Sequence, residues 1–171
     1  YVKNLLSKYS LSWEEMAKVM SYARSKGADV LCTPFDIKSA AELIAFGIDG
    51  IKIASADLTN HELLNYCGQS GIPMLISTGM STEKEIIEAA NLLSYLRSEY
   101  AFLHCNSTYP APFEDINLNF MHRLRALGLS DITGWSGHER GYHVCIAAVA
   151  KGAKIIEKHF TLDKNLGGND H

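Results

Sequence analysis

The sequence has no CxxC pair, no surplus of basic charge, no apolar run approaching the ~20 residues of a membrane helix and no glycine-rich dinucleotide fingerprint behind a strand. Each absence removes a class of function. Sixteen basic side chains face 19 acidic ones, for a net charge of -3. A chain without a positive field is a poor partner for a phosphate backbone or an anionic lipid surface. No nucleic acid and no membrane is therefore expected, and small molecules are the better ligand class. Cys32, Cys67, Cys105 and Cys145 are scattered, three of them in apolar runs such as Val30-Leu31-Cys32 and Leu103-His104-Cys105. They read as reduced, buried thiols of a cytoplasmic protein. No charged-then-apolar leader opens the chain. It starts at Tyr1 in the helix-like run Tyr1 to Leu6, as though something preceded it, and is expected to be a fragment.

What is present is ordinary globular material: 171 residues, 47% hydrophobic and 20% charged, enough for one substantial core. Short β-rich runs recur at 29–34, 50–55, 73–78, 101–106, 131–136 and 154–160. Segments of helical period lie between them. In 82–97 the residues Ile86, Ala89, Ala90 and Leu93 form one apolar stripe, with Ser81, Thr82 and two glutamates suited to the helix start. Another helix is predicted over 142–151, closed by Gly152.

Strands alternating with helices, and strands apolar on both faces such as Ile51-Lys52-Ile53 and Met74-Leu75-Ile76, indicate βαβ units and a parallel sheet. A solenoid has a similar repeat length, but no shared motif marks the repeats. The α/β reading is a TIM-type (β/α)8 barrel, favoured over an open doubly wound sheet because the dinucleotide fingerprint is missing. Six strands are countable where a barrel needs eight. Either two βα units lie outside residues 1–171, which then form a single partial barrel domain, or the sheet is open.

In such barrels the strand C-termini build the active site. All six ends here are polar. Thr33, Ser55, Ser77, Ser107 and Ser136, with Lys52, would ring one space with hydrogen-bond donors and a positive charge, which suits a phosphate or carboxylate. Lys52 stands between two isoleucines and is costly to bury without a compensating anion, whether a ligand or a structural carboxylate.

His138 and His159 close consecutive strands and are expected side by side at the rim, where neutral imidazoles suit Mn²⁺, Zn²⁺ or Fe²⁺. Glu157 shares a face with His159 by the two-residue period; it binds the metal or orients a coordinated water. His104 reads as a satisfied core histidine, and His61, His122 and His143 as surface or packing residues. The glycine-rich stretch after Phe160 carries Asp170, either a base or sugar-hydroxyl partner or part of a plain surface loop.

The strand-end runs Ile51 to Asn60, Leu75 to Met80, Leu103 to Pro110 and Ile156 to Asp163 resemble the sialic acid (N-acetylneuraminate) synthase family, which includes legionaminate and pseudaminate synthases. The likeness spans about residues 29–171. It implies condensation of phosphoenolpyruvate with an N-acyl hexosamine such as N-acetylmannosamine, giving a nine-carbon 2-keto sugar acid and phosphate. By that resemblance His138 and His159 hold a Mn²⁺ or Mg²⁺ ion acting as Lewis acid on the sugar aldehyde. Lys52, Thr33, Ser55, Ser77 and Ser136 match positions around phosphoenolpyruvate. Phe35, Asp57, Tyr109 and Asp170 match positions toward the sugar, and Glu157 and Asp170 are the candidate catalytic residues.

Two departures stand out. Ser107 replaces an asparagine of some bacterial members, and Gly137 replaces an acid often found before the first metal histidine. The family's first two strands, with a glutamate and a further phosphate-binding lysine, have no counterpart in the chain. Neither does the C-terminal antifreeze-like domain that completes the sugar site across a homodimer. The rival readings are another metal-dependent phosphoenolpyruvate synthase or aldolase, and an inactive truncated fragment.

Overall fold

The computed structural model describes residue 7 and residues 10–130 and 132–166. Strands and helices alternate because apolar runs of strand length are punctuated by residues that start helices. α1 (Trp13–Ser25) begins at a capping box in which the Ser12 and Glu15 side chains each bond the other's backbone N–H. β1 (Leu31–Cys32) leads to α2 (Ile37–Phe46), capped by Asp36. β2 (Gly50–Ile53) runs through the short 3-10 turn Ser55–Asp57 into α3 (His61–Gly68), whose first turn Asn60 caps. β3 (Met74–Ser77) precedes α4 (Glu83–Tyr95), where Thr82 and Glu85 form the expected capping box and the predicted stripe Ile86, Ala89, Ala90 and Leu93 is buried. β4 (Tyr100–Cys105) is followed by a 3-10 turn at Phe113–Asp115 and α5 (Phe120–Ala126). β5 (Thr133–Gly137), α6 (His143–Ala150) and β6 (Ile155–Lys158) complete the order. Gly152 lies just past α6 at φ 90°, a left-handed turn that a side chain would strain.

All six strands are parallel and ordered β1-β2-β3-β4-β5-β6, each beside its neighbour in sequence. A doubly wound sheet reverses direction at a switch point; this one never does. It also curls. In a flat sheet β2 and β6 would lie about 19 Å apart at ~4.8 Å per strand. Yet Lys52 Nζ on β2 comes within 3.7 Å of Glu157 Oε2 on β6. That meeting requires the curvature of a barrel wall, so the partial (β/α) barrel reading holds.

The register sorts the side chains. Cys105, Ser136 and Glu157 share one row, and Ser77, Leu103 and Gly134 the row below, all facing the concave side. The alternate residues Ile51, Ile53, Met74, Ile76 and Phe102 pack outward with Leu64, Ile86 and Leu93 in a first apolar cluster. A second, separate cluster gathers Trp135 with Met121, Val144, Ala148 and Ile116. Each fully buried aliphatic side chain contributes about 1.5–3 kcal/mol.

Three expectations change. β1, β2, β3 and β6 are shorter than their β-rich runs, because residues at their C-terminal ends leave the ladder for turns, whereas β4 is shifted one residue earlier and β5 ends at Gly137, one residue past its run. Of the four thiols, all free, Cys67 and Cys105 are buried but Cys32 and Cys145 are only half-buried, at the margins of the sheet and of α6. Tyr142 and Val149, both apolar and within the helix predicted over 142–151, are exposed, since α6 buries only its Val144 and Ala148 side. Among the described residues no helix is long and apolar enough to cross a membrane.

Candidate active site

Lys52 starts low in the barrel wall, level with Leu75. Its side chain climbs inside the curve to the strand ends, where Nζ donates to Ser77 Oγ at 2.8 Å and to the Ile53 carbonyl at 2.9 Å. Burial holds its pKa below the ordinary lysine value, while the Glu157 carboxylate pulls it back up. The carboxylate that balances this lysine is therefore Glu157, itself a candidate residue. At 3.7 Å the pair interacts through charge and is too long for a hydrogen bond.

Beside the lysine, Gly79 follows β3 where nothing larger fits. A Cβ there would overlap Ser107 Oγ and lie 2.8 Å from Ser55 Oγ and 3.3 Å from Cys105 Sγ. Ser55 Oγ accepts the Gly79 N–H at 3.1 Å, whereas the buried Ser107 Oγ has no hydrogen-bond partner among the described residues. A buried hydroxyl left unpaired is a donor in wait for an acceptor. Ser136 is buried in the row between Cys105 and Glu157, and Thr33 is half-buried just past β1.

The two histidines do meet at the rim. Their ring centroids are 5.2 Å apart at 69°. Tyr109 stacks on His138 at 3.9 Å and meets His159 edge-on at 5.7 Å. His138 Nδ1 lies 2.6 Å from the Asn106 carbonyl oxygen, which can only accept, so Nδ1 carries the proton and Nε2 the lone pair. This is the orientation that a second partner imposes on a metal-ligating imidazole. Among the described residues no group of three or more His, Cys, Asp or Glu side chains is arranged around a common point.

The NeuB family model matches residues 1–171. The chain belongs to the NeuB family. It is 39% identical over 170 residues to the N,N'-diacetyllegionaminic acid synthase of Campylobacter jejuni, covering 98% of this chain and 51% of that protein. With the N-acetylneuraminate-9-phosphate synthase of Drosophila melanogaster it shares 34% identity over 94% of this chain and 43% of that one. Among solved structures, the N-acetylneuraminic acid (sialic acid) synthetase of Leptospira borgpetersenii in complex with citrate superposes with a TM-score of 0.90 at 32% identity, covering 94% of this chain and 56% of that one. A truncated 3-deoxy-D-arabino-heptulosonate 7-phosphate synthase from Thermotoga maritima, 19% identical, matches with a TM-score of 0.76 over 95% of this chain and 66% of that one. This last likeness concerns the barrel fold alone. The chain spans about half the length of the curated relatives it matches.

Other candidates in this NeuB-family chain sit further from the centre. Asp57, in the 3-10 turn, accepts from the Asn60 side chain at 3.2 Å. Phe35 is exposed beyond β1. Asp170, like the start of the run at 131–136, lies outside the described residues. His104 is the core histidine expected: Nε2 donates to the Ile116 carbonyl at 2.8 Å, and burial holds its pKa below the usual value against the pull of that carbonyl. His61, His122 and His143 are exposed, as expected.

Sequence reasoning missed three features. The Asn106 carbonyl and the bare Cα of Gly79 are backbone features that no side-chain pattern announces. The third is Glu139, which follows His138 at a polar strand end. It is fully buried against Lys158, and a Cβ on Gly137 would stand 2.6 Å from its Oε2. The absence of an acid at 137 thus coincides with a carboxylate folded back over that glycine.

Proposed function

We propose that the chain supplies the phosphoenolpyruvate- and metal-binding part of a sialic-acid-type synthase, which condenses phosphoenolpyruvate with an N-acyl hexosamine to a nine-carbon 2-keto sugar acid and phosphate. The observation that supports this reading is the place of Cys105, whose thiol lies 3.8 Å from His138 Nδ1 and 3.3 Å from where a Cβ on Gly79 would stand, so that one side chain touches both the serine hydroxyls and the histidine pair. The residues present fit a divalent ion. Two imidazoles on one ion, at about 2.1 Å from metal to nitrogen, have ring centroids roughly 4.6–5.3 Å apart, and these are at 5.2 Å.

When bound, Mn²⁺ or Mg²⁺ would supply Lewis-acid polarisation of the sugar aldehyde. The other tasks fall to the chain's own groups. Lys52 holds the phosphate or carboxylate of phosphoenolpyruvate with the hydroxyls of Ser77, Ser55 and Ser107, and Thr33 and Ser136 complete the ring. Bond formation joins C3 of phosphoenolpyruvate to the aldehyde carbon, water adds at C2, and phosphate leaves from C2. Glu157, inside the mouth beside Lys52 Nζ, is placed to orient that water and take its proton. Tyr109, Phe35 and Asp57 lie toward the sugar, with Asp170 assigned there by resemblance. A homodimer with an antifreeze-like domain over the mouth belongs to the same reading of the whole protein.

Phosphate release by the full-length protein, supplied with phosphoenolpyruvate, Mn²⁺ and a panel of N-acyl hexosamines, tests this. Turnover of at least one is expected. No release with any of them overturns the proposal, and turnover only of an aldose without the N-acyl group points to a neighbouring synthase or aldolase.

A further inference from the structure

Each candidate metal ligand is adjacent in sequence to one member of an ion pair: Glu139 follows His138 and Lys158 precedes His159. The β5–β6 ladder ends at Gly137 and Lys158. Beyond it, Lys158 Nζ lies 3.1 Å from Glu139 Oε1 and also donates to the Glu139 backbone carbonyl. One ammonium thus grips both the side chain and the main chain of the residue immediately after His138. The histidine is held between two fixed points, the last ladder pair on one side and this clip on the other. The far end of the clip is the residue before His159.

The pair does not face the mouth. Lys158 pairs with Gly137 on the face of the sheet opposite Glu157, and the Cys145 thiol of α6 donates to Glu139 Oε1 at 3.7 Å. It touches no reacting atom. Its cost is plain. The Glu139 side chain is 0% exposed and Lys158 27%, and Glu139 Oε2 has no hydrogen-bond partner among the described residues. A Cβ at Gly137 would crowd both that oxygen, at 2.6 Å, and Trp135 Nε1, at 2.5 Å. Buried ion pairs of this kind are often matched or exceeded in stability by apolar side chains of similar volume, so stability alone is a weak reason for one.

We propose that the Glu139–Lys158 pair is a positioning device that sets the distance and relative orientation of His138 and His159, and through them the affinity of the two-histidine site for its divalent ion. This rests on the metal reading above.

The test measures Mn²⁺ binding by calorimetry, the visible spectrum of the Co²⁺-loaded protein and thermal stability in the full-length protein. Lys158→Met is expected to weaken Mn²⁺ binding roughly ten- to a hundredfold and to alter the Co²⁺ spectrum, with Lys158→Arg recovering most of the loss. The double variant Glu139→Gln/Lys158→Met removes both charges. It is expected to regain wild-type thermal stability while still binding Mn²⁺ weakly. Recovery of stability and Mn²⁺ affinity together would make the pair merely structural and overturn the proposal, as would Lys158→Met binding Mn²⁺ within twofold of wild type. If Lys158→Met does not fold, the double variant decides. Failure of the metal reading looks different: wild type and His138→Ala would then bind Mn²⁺ equally poorly.

Discussion

Lys52 on β2 and Glu157 on β6 stand 3.7 Å apart although three strands separate them in the sheet. Two donors of the ammonium are already engaged by Ser77 and the Ile53 carbonyl. Glu157 therefore stabilises the charge from a distance without occupying the ammonium's hydrogen-bonding positions. An arriving anion meets a lysine kept charged by a carboxylate that remains free to serve another purpose.

Lys52→Met should weaken binding of phosphoenolpyruvate roughly ten- to a hundredfold, the loss expected for one hydrogen bond to a charged group at about 1.5–3 kcal/mol. Thermal stability should hold or rise, since a buried ammonium is costly. Calorimetry with phosphoenolpyruvate beside a thermal melt checks both, and an affinity within twofold of wild type would contradict the cradle.

The pH dependence follows from the lowered pKa of Lys52, which burial depresses and Glu157 partly restores. The unfolded chain binds this proton more tightly than the folded one. Stability from this group therefore rises with pH between the lowered value and the ordinary lysine value of 10.5. Anion binding has the opposite sign, because it needs the charged form. Affinity for phosphoenolpyruvate should fall as pH climbs through the lowered pKa, and Glu157→Gln should move that fall to lower pH. An unchanged profile in the variant would separate the two residues.

Gly79→Ala places a methyl group against Ser107 Oγ and 2.8 Å from Ser55 Oγ. Overpacking of this kind costs about 1–3 kcal/mol, measurable by denaturant unfolding. The same change should weaken phosphoenolpyruvate binding while leaving Mn²⁺ affinity near wild type. Equal loss of both would mean that the crowding spreads to the rim.

Tyr109→Ala removes the ring stacked at 3.9 Å on His138. An aromatic pair is worth about 0.5–1.5 kcal/mol beyond its area, so Mn²⁺ binding should weaken about two- to tenfold. Tyr109→Phe should retain it. A Phe variant as weak as Ala would assign the effect to the hydroxyl instead.

The neighbouring placement of His138 and His159 was legible because sequential parallel strands end side by side, and the inward face of Glu157 followed from the two-residue period. All six strands were legible from apolar runs. Their C-terminal limits were not, since hydrophobicity does not report where Ser55 or Asn106 leaves the ladder. The approach of Lys52 to Glu157 was hidden as well, because it depends on how far the whole sheet curls. The burial of Glu139 was hidden for a local reason: it depends on a glycine two residues earlier having no side chain and on a lysine from the next strand, and neither is visible in a strand-end motif.

The two apolar clusters give the site a mechanical character. Lys52 and Ser77 stand on strands, and Ser55 just past one, that are backed by the cluster containing Ile53, Ile76 and Leu64, whereas His138 follows β5, which is backed by the one around Trp135, Met121 and Ala148. The mouth is thus a seam between two separately packed lobes. A cavity cut into one lobe should loosen the grip on one ligand more than on the other, and a substrate that reaches both sides acts as a staple across the seam.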